Sequence, residues 1–497
     1  EPEPVEPWSG VWDANFLTEC VQTALMNKSF VTRADEDCLH LNVYVPRGAP
    51  NPKENLDVIV SIHGGAYMFG SGHFHSNPQF LMDHDVIFVT FNYRLGILGF
   101  LSTEDDVVPG NNGLKDQVLA LKWVQENIAS FGGNPASVTL TGLSAGGSSV
   151  HLHYFSDMSK GLFHRGFSQS GCALNAWTLQ NQPAEKAKIL AEAVGCPTSP
   201  SRSLVQCLKQ RPYPHLLARM PLFYGYMMLP IAPFAPVVEK GSKPFLKADP
   251  YYLLTEGEVY DVPWIASNTA HEGVIPVILF LLLQVFKDLQ VINDEWENLA
   301  PILLEYNYTL PQPLWTTTAK KVKEFYLGEG QDISQENMLK VMQIFTDRGF
   351  LVGAETAVKK QAKVAKSPIY YYFFAYPGDD NEQRIVSHGI DSKYIYGDDL
   401  EGKMLTPNEL QMKNVLVDML ISYPKTGLTT QILCRKPTIK GVKWEPTQHD
   451  ELTYLNIDGF APENIKLETV KELTPRAFWR SLGFQESENL ILIKDEL

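Results

Sequence analysis

The sequence predicts an α/β protein built on a central, mostly parallel sheet flanked by helices. Three observations predict it. Short β-rich runs alternate with an amphipathic helical stretch early in the chain, the order that yields parallel strands with helices on both faces. Two of those runs end at glycine- or arginine-containing turns, where open sheets of this kind gather ligands. A Gly-x-Ser-x-Gly pentapeptide also stands between a strand-like and a helix-like segment.

Leu56 to Ile62 (LDVIVSI) is a β-rich run ending in His63-Gly64-Gly65, and Val86 to Tyr93 (VIFVTFNY) is a second, ending near Arg94 and Gly96. Between Asn112 and Ser130, apolar side chains fall at Leu114, Val118, Leu121, Val124 and Ile128, spacings of four, three, three and four that mark one face of a helix. Ser137 to Thr141 reads as a strand, and Gly142 turns it into the next helix. Thr178 to Asp261 is irregular and proline-rich, an excursion expected to shape a pocket. Further strands are expected at Val262–Ser267, Ile369–Tyr376 and Leu452–Ile457. No internal repeat, low-complexity tract or linker divides the chain, so one domain is expected over residues 1–497.

Composition narrows the function. Hydrophobic residues make up 44%, enough for a sizeable core. The net charge of −15, with no basic block, argues against a nucleic-acid partner, because the long-range field repels phosphate. The longest apolar run, Val274 to Phe286 (VIPVILFLLLQVF), falls short of the roughly 18 residues a spanning helix needs and contains Pro276 and Gln284. It is read as a buried or pocket-lining helix, and no transmembrane anchor is expected. Six cysteines include two close pairs, Cys20 with Cys38 and Cys196 with Cys207, and each short loop can close as a disulfide. Cys172 and Cys434 are left over. Two sequons, at Asn27 and Asn307, and the final Lys494-Asp495-Glu496-Leu497 point to a glycoprotein of the secretory route. The terminal tetrapeptide predicts an endoplasmic-reticulum lumenal protein held by the retrieval receptor, with secretion as the alternative.

The chemistry centres on Gly142-Leu143-Ser144-Ala145-Gly146. A tight strand–turn–helix exposes the serine hydroxyl, which needs a base within hydrogen-bond reach and an acid to orient that base. In this chain order the histidine comes last. His388 follows the strand Ile369–Tyr376 on its carboxyl side, whereas His449 precedes a strand, so His388 is the expected base. Many carboxylates lie between Ser144 and His388. Glu272, after the strand at Val262–Ser267, is one candidate among them on the residues alone. Gly65, Ala66 and Ala145 supply backbone N–H groups for an oxyanion. His73-Phe74-His75 and His151-Leu152-His153 lack carboxylate or cysteine partners at ligand spacing, so no metal is expected, and ester chemistry of this type requires no cofactor.

Beside GLSAG stand EDCLHLNVY (Glu36–Tyr44), HGGAY, NYRLGILGF (Asn92–Phe100), NNGLKDQ, FGGNP (Phe131–Pro135), SNTAHEG and SHGID. On these motifs the chain resembles, nearly from end to end, the carboxylesterase and cholinesterase family of the α/β-hydrolase fold, and is most similar to its insect carboxylesterases. The resemblance implies that Glu272, in a matching T-x-x-E-G context from Thr269 to Gly273, is the acid. It also implies disulfides Cys20–Cys38 and Cys196–Cys207, and an aromatic wall to the acyl pocket at Trp177. The implied activity is hydrolysis of neutral, largely apolar carboxylic esters through an acyl-enzyme.

Three departures from the family stand out, the first two bearing on substrate. No tryptophan lies between Cys20 and Cys38, where cholinesterases hold a quaternary ammonium by cation–π attraction, so acetylcholine is not expected. Juvenile hormone esterases carry Gln before the nucleophile and Gly three residues before the base, where this chain has Leu143 and Ile385. Relatives also have several dozen residues, including small strands, ahead of the PWSGV that here begins at Pro7. The expectation is a chain without those strands and without its signal peptide. Two competing readings are a juvenile hormone esterase and a catalytically silent adhesion or ligand-sequestering protein, although members of the second kind commonly lose a residue of the Ser–acid–His set.

Overall fold

Among the described residues, nine strands form the main sheet: β1 (Leu41–Tyr44), β2 (Leu56–Ile62), β3 (Val86–Phe91), β4 (Gly133–Leu143), β5 (Arg165–Gln169), β6 (Trp264–Thr269), β7 (Ile369–Phe374), β8 (Leu452–Ile457) and β9 (Ile465–Val470). This computed structural model describes residues 1–14, 18–23, 34–74, 76–226, 229–274, 289–379, 384–397, 404–426 and 438–486. Asn27, His75, Cys434, the apolar run beyond Val274 and the terminal Lys494–Leu497 lie outside the described residues.

The spatial order is β9-β8-β7-β6-β5-β4-β2-β3-β1. All pairings from β3 through β8 are parallel, and only the two edge strands, β1 and β9, run antiparallel. Parallel strands covered on both faces read as unbroken apolar runs, and this sheet explains the runs in the sequence. Val58, Val60 and Ile62 of β2 point into one core with Ile87 and Val89 of β3. Ile59 and Phe88 point into the other. β7 divides in the same way, Tyr371 to the first core and Tyr372 and Phe374 to the second.

The periodicity between Asn112 and Ser130 becomes helix α1 (Asn112–Asn127), finished by a tighter turn at Ile128–Phe131. Leu114, Val118, Leu121 and Val124 are all buried. Helix α2 (Ala145–His153) follows β4 directly. The strands end within two residues of their expected limits, except that β4 is longer at both ends. Three strands had no signal: β1, β5 and β9. The excursion Thr178–Asp261 adds no strand to the sheet, as expected. It is more regular than its prolines suggested, with helices at Pro183–Ala193, Ser201–Leu208 and Pro250–Glu256. Pro183 and Pro250 occupy first-turn positions, where the missing N–H costs nothing, so they begin helices instead of breaking them. Helix α3 (Trp296–Leu303), helix α4 (Met338–Thr346) and a π turn at Asp347–Leu351 complete the elements that reach the site.

Both expected disulfides are formed, Cys20–Cys38 and Cys196–Cys207. Cys172 is a buried free thiol whose pKa burial pushes up to about 12, which keeps it protonated. No helix among the described residues is long and apolar enough to cross a membrane.

Candidate active site

The chain runs from β2 to β3 on one side and then returns to β4 on the other, so the carboxyl ends of β2 and β4 face a topological switch point. His63-Gly64-Gly65 leaves β2 there and Ser144 leaves β4. Ser144 stands between β4 and α2 with φ +59° and ψ −120°, a conformation that costs a non-glycine residue about 1–3 kcal/mol. The neighbours hold it. Its N–H donates to the Gln169 carbonyl of β5 at 2.8 Å, and its carbonyl accepts from Ser148 at 2.8 Å. A side chain at Gly146 would collide with the Ile62 carbonyl of β2 and one at Gly142 with Gly146, so only glycine on both sides lets the elbow close against the sheet.

The loop after β2 turns through three positive φ angles in succession, Gly65 (106°), Ala66 (54°) and Tyr67 (60°). The Gly65 carbonyl accepts from Met68 at 2.8 Å and from Phe69 at 3.0 Å. Among the described residues, the N–H groups of Gly65, Ala66 and Ala145 meet no acceptor, and Ala145 adds the N-terminal dipole of α2. From across the loop the Gln22 amide brackets Gly70, donating to its carbonyl at 3.0 Å and accepting from its N–H at 2.9 Å. Gln22 follows Cys20 by two residues, which ties the first disulfide to this loop.

Two further loops carry the acid and the imidazole, and the sheet brings them together. Beyond β6 and β7 the pairing continues: Ala270 donates to Phe374 at 3.0 Å, His271 forms a parallel bridge with Ser387, and Val386 donates to His271 Nδ1 at 3.0 Å. Glu272 is fully buried. Its Oε1 accepts from Asn268 Nδ2 at 2.9 Å and from the Thr269 N–H at 2.8 Å, while Oε2 lies 2.5 Å from His388 Nδ1. Tyr371 donates to Asn268 Oδ1 at 2.9 Å, which fixes the amide with its NH2 toward Glu272. With Nδ1–H directed at a carboxylate, His388 keeps Nε2 as a proton acceptor. His449, the other histidine weighed as base, is half exposed and pairs with Asp450.

Ser144, His388, Ala66 and Trp177 line one cavity. The Phe350 ring lies 4.9 Å from the His388 ring and 5.7 Å from Trp177, so two aromatic groups wall the serine. Leu229, Ile231, Leu303, Leu304 and Phe345 extend an apolar lining, interrupted by Glu305 and Arg348. A serine, an imidazole oriented by a buried carboxylate, and three unpartnered amides can together attack a carbonyl and stabilise the resulting oxyanion.

His151 and His153 are core residues of α2. His151 Nε2 donates to Gln361 Oε1 at 2.8 Å and Nδ1 accepts from Ala173, while His153 lies 2.6 Å from the Ser159 hydroxyl and 2.9 Å from Gln117. Burial lowers both to about 3, so both are neutral. Asn307 is half-buried in a turn after α3. Phe350, Glu305, Arg348 and Asn268 escaped the sequence reading. Asn268 had a signal, four residues before Glu272 in SNTAHEG, but the others reach the cavity only through long-range packing.

A family model described as the carboxylesterase family matches residues 1–472. Venom carboxylesterase-6 of Apis mellifera is 38% identical over 505 residues, covering 98% of this chain and 87% of that protein. A juvenile hormone esterase of Tribolium castaneum is 33% identical, covering 94% and 80% respectively. Among solved structures, juvenile hormone esterase from Manduca sexta with OTFP covalently attached superposes with a TM-score of 0.80 at 28% identity, covering 97% of this chain and 91% of that one. The mostly parallel sheet with flanking helices is therefore the α/β-hydrolase fold.

Proposed function

We propose, since the chain belongs to the carboxylesterase family and is a carboxylic ester hydrolase, that it cleaves neutral, largely apolar esters in two steps through Ser144. His388 Nε2 takes the Ser144 proton as the hydroxyl attacks the ester carbonyl. Gly65, Ala66 and Ala145 donate to the oxyanion, and the alcohol leaves with the proton His388 returns to it. Water then attacks the acyl-serine by the same relay and releases the acid. Glu272 holds the imidazole in the required tautomer and balances its charge.

The supporting observation is the 2.5 Å contact between Glu272 and His388 at the cavity that also holds Ser144. The apolar lining supports the substrate class, and Trp177 with Phe350 is read as limiting acyl bulk. On a short-chain 4-nitrophenyl ester, Ser144→Ala is expected to lower kcat/KM by roughly a thousandfold or more. Unchanged turnover would overturn the assignment.

Juvenile hormone esterase is the second substrate reading, favoured by the Tribolium and Manduca relatives and opposed by Leu143 and Ile385. Two disulfides support an oxidising compartment, lumenal or secreted. Retrieval to the endoplasmic reticulum by a receptor for Lys494–Leu497, and glycans at Asn27 and Asn307, are finer readings carried by sequence alone.

A further inference from the structure

The cavity wall carries two charged side chains besides the imidazole, Glu305 and Arg348, and they are satisfied differently. Arg348 is committed inside the protein. Its Nε donates to the Leu304 carbonyl at 2.9 Å and one Nη to the Glu305 carbonyl at 3.3 Å, and the guanidinium forks onto Glu486 while stacking 4.6 Å above the Phe484 ring. Glu305 has no comparable set. The backbone N–H of Ile231 faces its carboxylate, and among the described residues no Lys or Arg nitrogen lies within 4.0 Å of it. Lys186, the other cation that acts on it, sends its ammonium to the Pro233 carbonyl at 2.7 Å.

The backbone produces this placement. Glu305 follows helix α3 in the left-handed region, φ +53°, which is unfavourable for a residue with a Cβ. The carbonyls of Leu304 and Glu305 are the two that Arg348 grips, so the turn is held and the carboxylate is left in a wall otherwise made of Leu303, Leu304, Phe345 and Ile231. An acceptor in apolar surroundings is unfavourable unless a donor meets it. A substrate that fills this space with alkyl carbon strips its water and gives nothing back, whereas one that brings an O–H or N–H restores the bond.

We propose that Glu305 is a specificity-determining residue of this site, selecting esters whose cavity-bound substituent is apolar along its length but carries a hydroxyl or amine that donates to the carboxylate. This rests on the esterase reading of Ser144. Burial raises the Glu305 pKa to about 7, opposed by Arg348 and Lys186 and reinforced by Glu486, and His388 is the other titratable group of the cavity. Glu305 is therefore neutral below about pH 7 and charged above it, so the preference for donor-bearing esters grows as pH rises from 6 to 8.

The test uses the full chain and matched esters that differ only at one terminus. One series places methyl, hydroxyl or amine at the end of a six-carbon acid esterified to 4-nitrophenol. The other places them at the end of a six-carbon alcohol esterified to acetic acid. In at least one series the wild type is expected to favour the donor-bearing ester in kcat/KM by roughly ten- to a hundredfold at pH 8. Glu305→Leu abolishes or inverts that ratio, and Glu305→Gln, which keeps one acceptor, retains part of it without the rise between pH 6 and 8. A ratio unchanged in Glu305→Leu and Glu305→Gln in both series overturns the proposal and leaves the esterase reading standing. Turnover in Ser144→Ala equal to wild type defeats both.

Discussion

Replacing Glu272 by Gln changes one atom and reverses the direction of a hydrogen bond. In the wild type, Oε1 accepts two donors, Asn268 Nδ2 and the Thr269 N–H, and the orientation of Asn268 is fixed in turn by Tyr371. A glutamine at this position must place its carbonyl where those two donors point, which puts its NH2 against His388 Nδ1. That nitrogen then becomes an acceptor and the ring proton moves to Nε2, aimed at the cavity, where an acceptor is required. The imidazole can no longer take the serine proton. Loss of an orienting carboxylate by this route costs about 10⁴ in kcat for a trypsin-type triad, or about 5.5 kcal/mol of transition-state stabilisation. Because volume and buried packing are retained, the folded state persists, and KM changes much less than kcat. The measurement is kcat and KM for a short-chain 4-nitrophenyl ester, with thermal midpoint as the folding control. A loss below about tenfold with the midpoint unchanged would refute the tautomer argument, since the alternative amide orientation would face two donors with a third.

Two other perturbations test the frame around the site. His151 and His153 have folded pKa values near 3, well below the 6.5 of an unfolded imidazole, so their contribution to stability is present above about pH 6.5 and is lost as pH falls toward 3. Together they should remove ~4 kcal/mol between pH 7 and 5. Urea midpoints at the two pH values should show His153→Gln losing about 2 kcal/mol less than wild type, and an equal loss would contradict the burial account. Removing the Cys196–Cys207 bond, whose cysteines are 11 residues apart, should lower stability by ~3 kcal/mol on the loop-entropy model. Neither cysteine lines the cavity, so kcat/KM at 25 °C should stay within about twofold, below ~0.5 kcal/mol.

What could be read from the sequence was whatever depends on neighbours in the chain. Leu56–Ile62 and Leu452–Ile457 announce themselves as apolar runs because each residue must suit a covered sheet whichever face it meets. The serine elbow is legible because its geometry is set within five residues. Arg165–Gln169 (RGFSQ) is a central strand with no such signature. Its Arg165 donates through one Nη to Ser137 and Thr139 of β4, its Ser168 to the Gly147 carbonyl and its Gln169 to Asp391, so polar residues are buried where distant partners meet part of their hydrogen-bonding capacity. The acid was ambiguous for the same reason. Nothing local marks Glu272 out from other loop carboxylates, and its contact with His388 depends on a loop 116 positions away. Only the family's T-x-x-E-G context pointed to it. Phe350 and Glu305 lie beyond either kind of reading, because a π turn and a helix end deliver them to the cavity by packing.

On the proposed mechanism, the bridge between His271 and Ser387 makes hydrolytic competence depend on the alignment of β6 with β7. The serine's turn belongs to an uninterrupted stretch and can form as soon as β4 and α2 do, while the imidazole acquires its partner only after β6 and β7 have aligned across 99 intervening residues. Contacts of that span are the slow ones to close. On that mechanism a molecule in which these two strands have not yet paired would carry the serine turn yet cut nothing, and turnover itself reports that β6 and β7 have aligned.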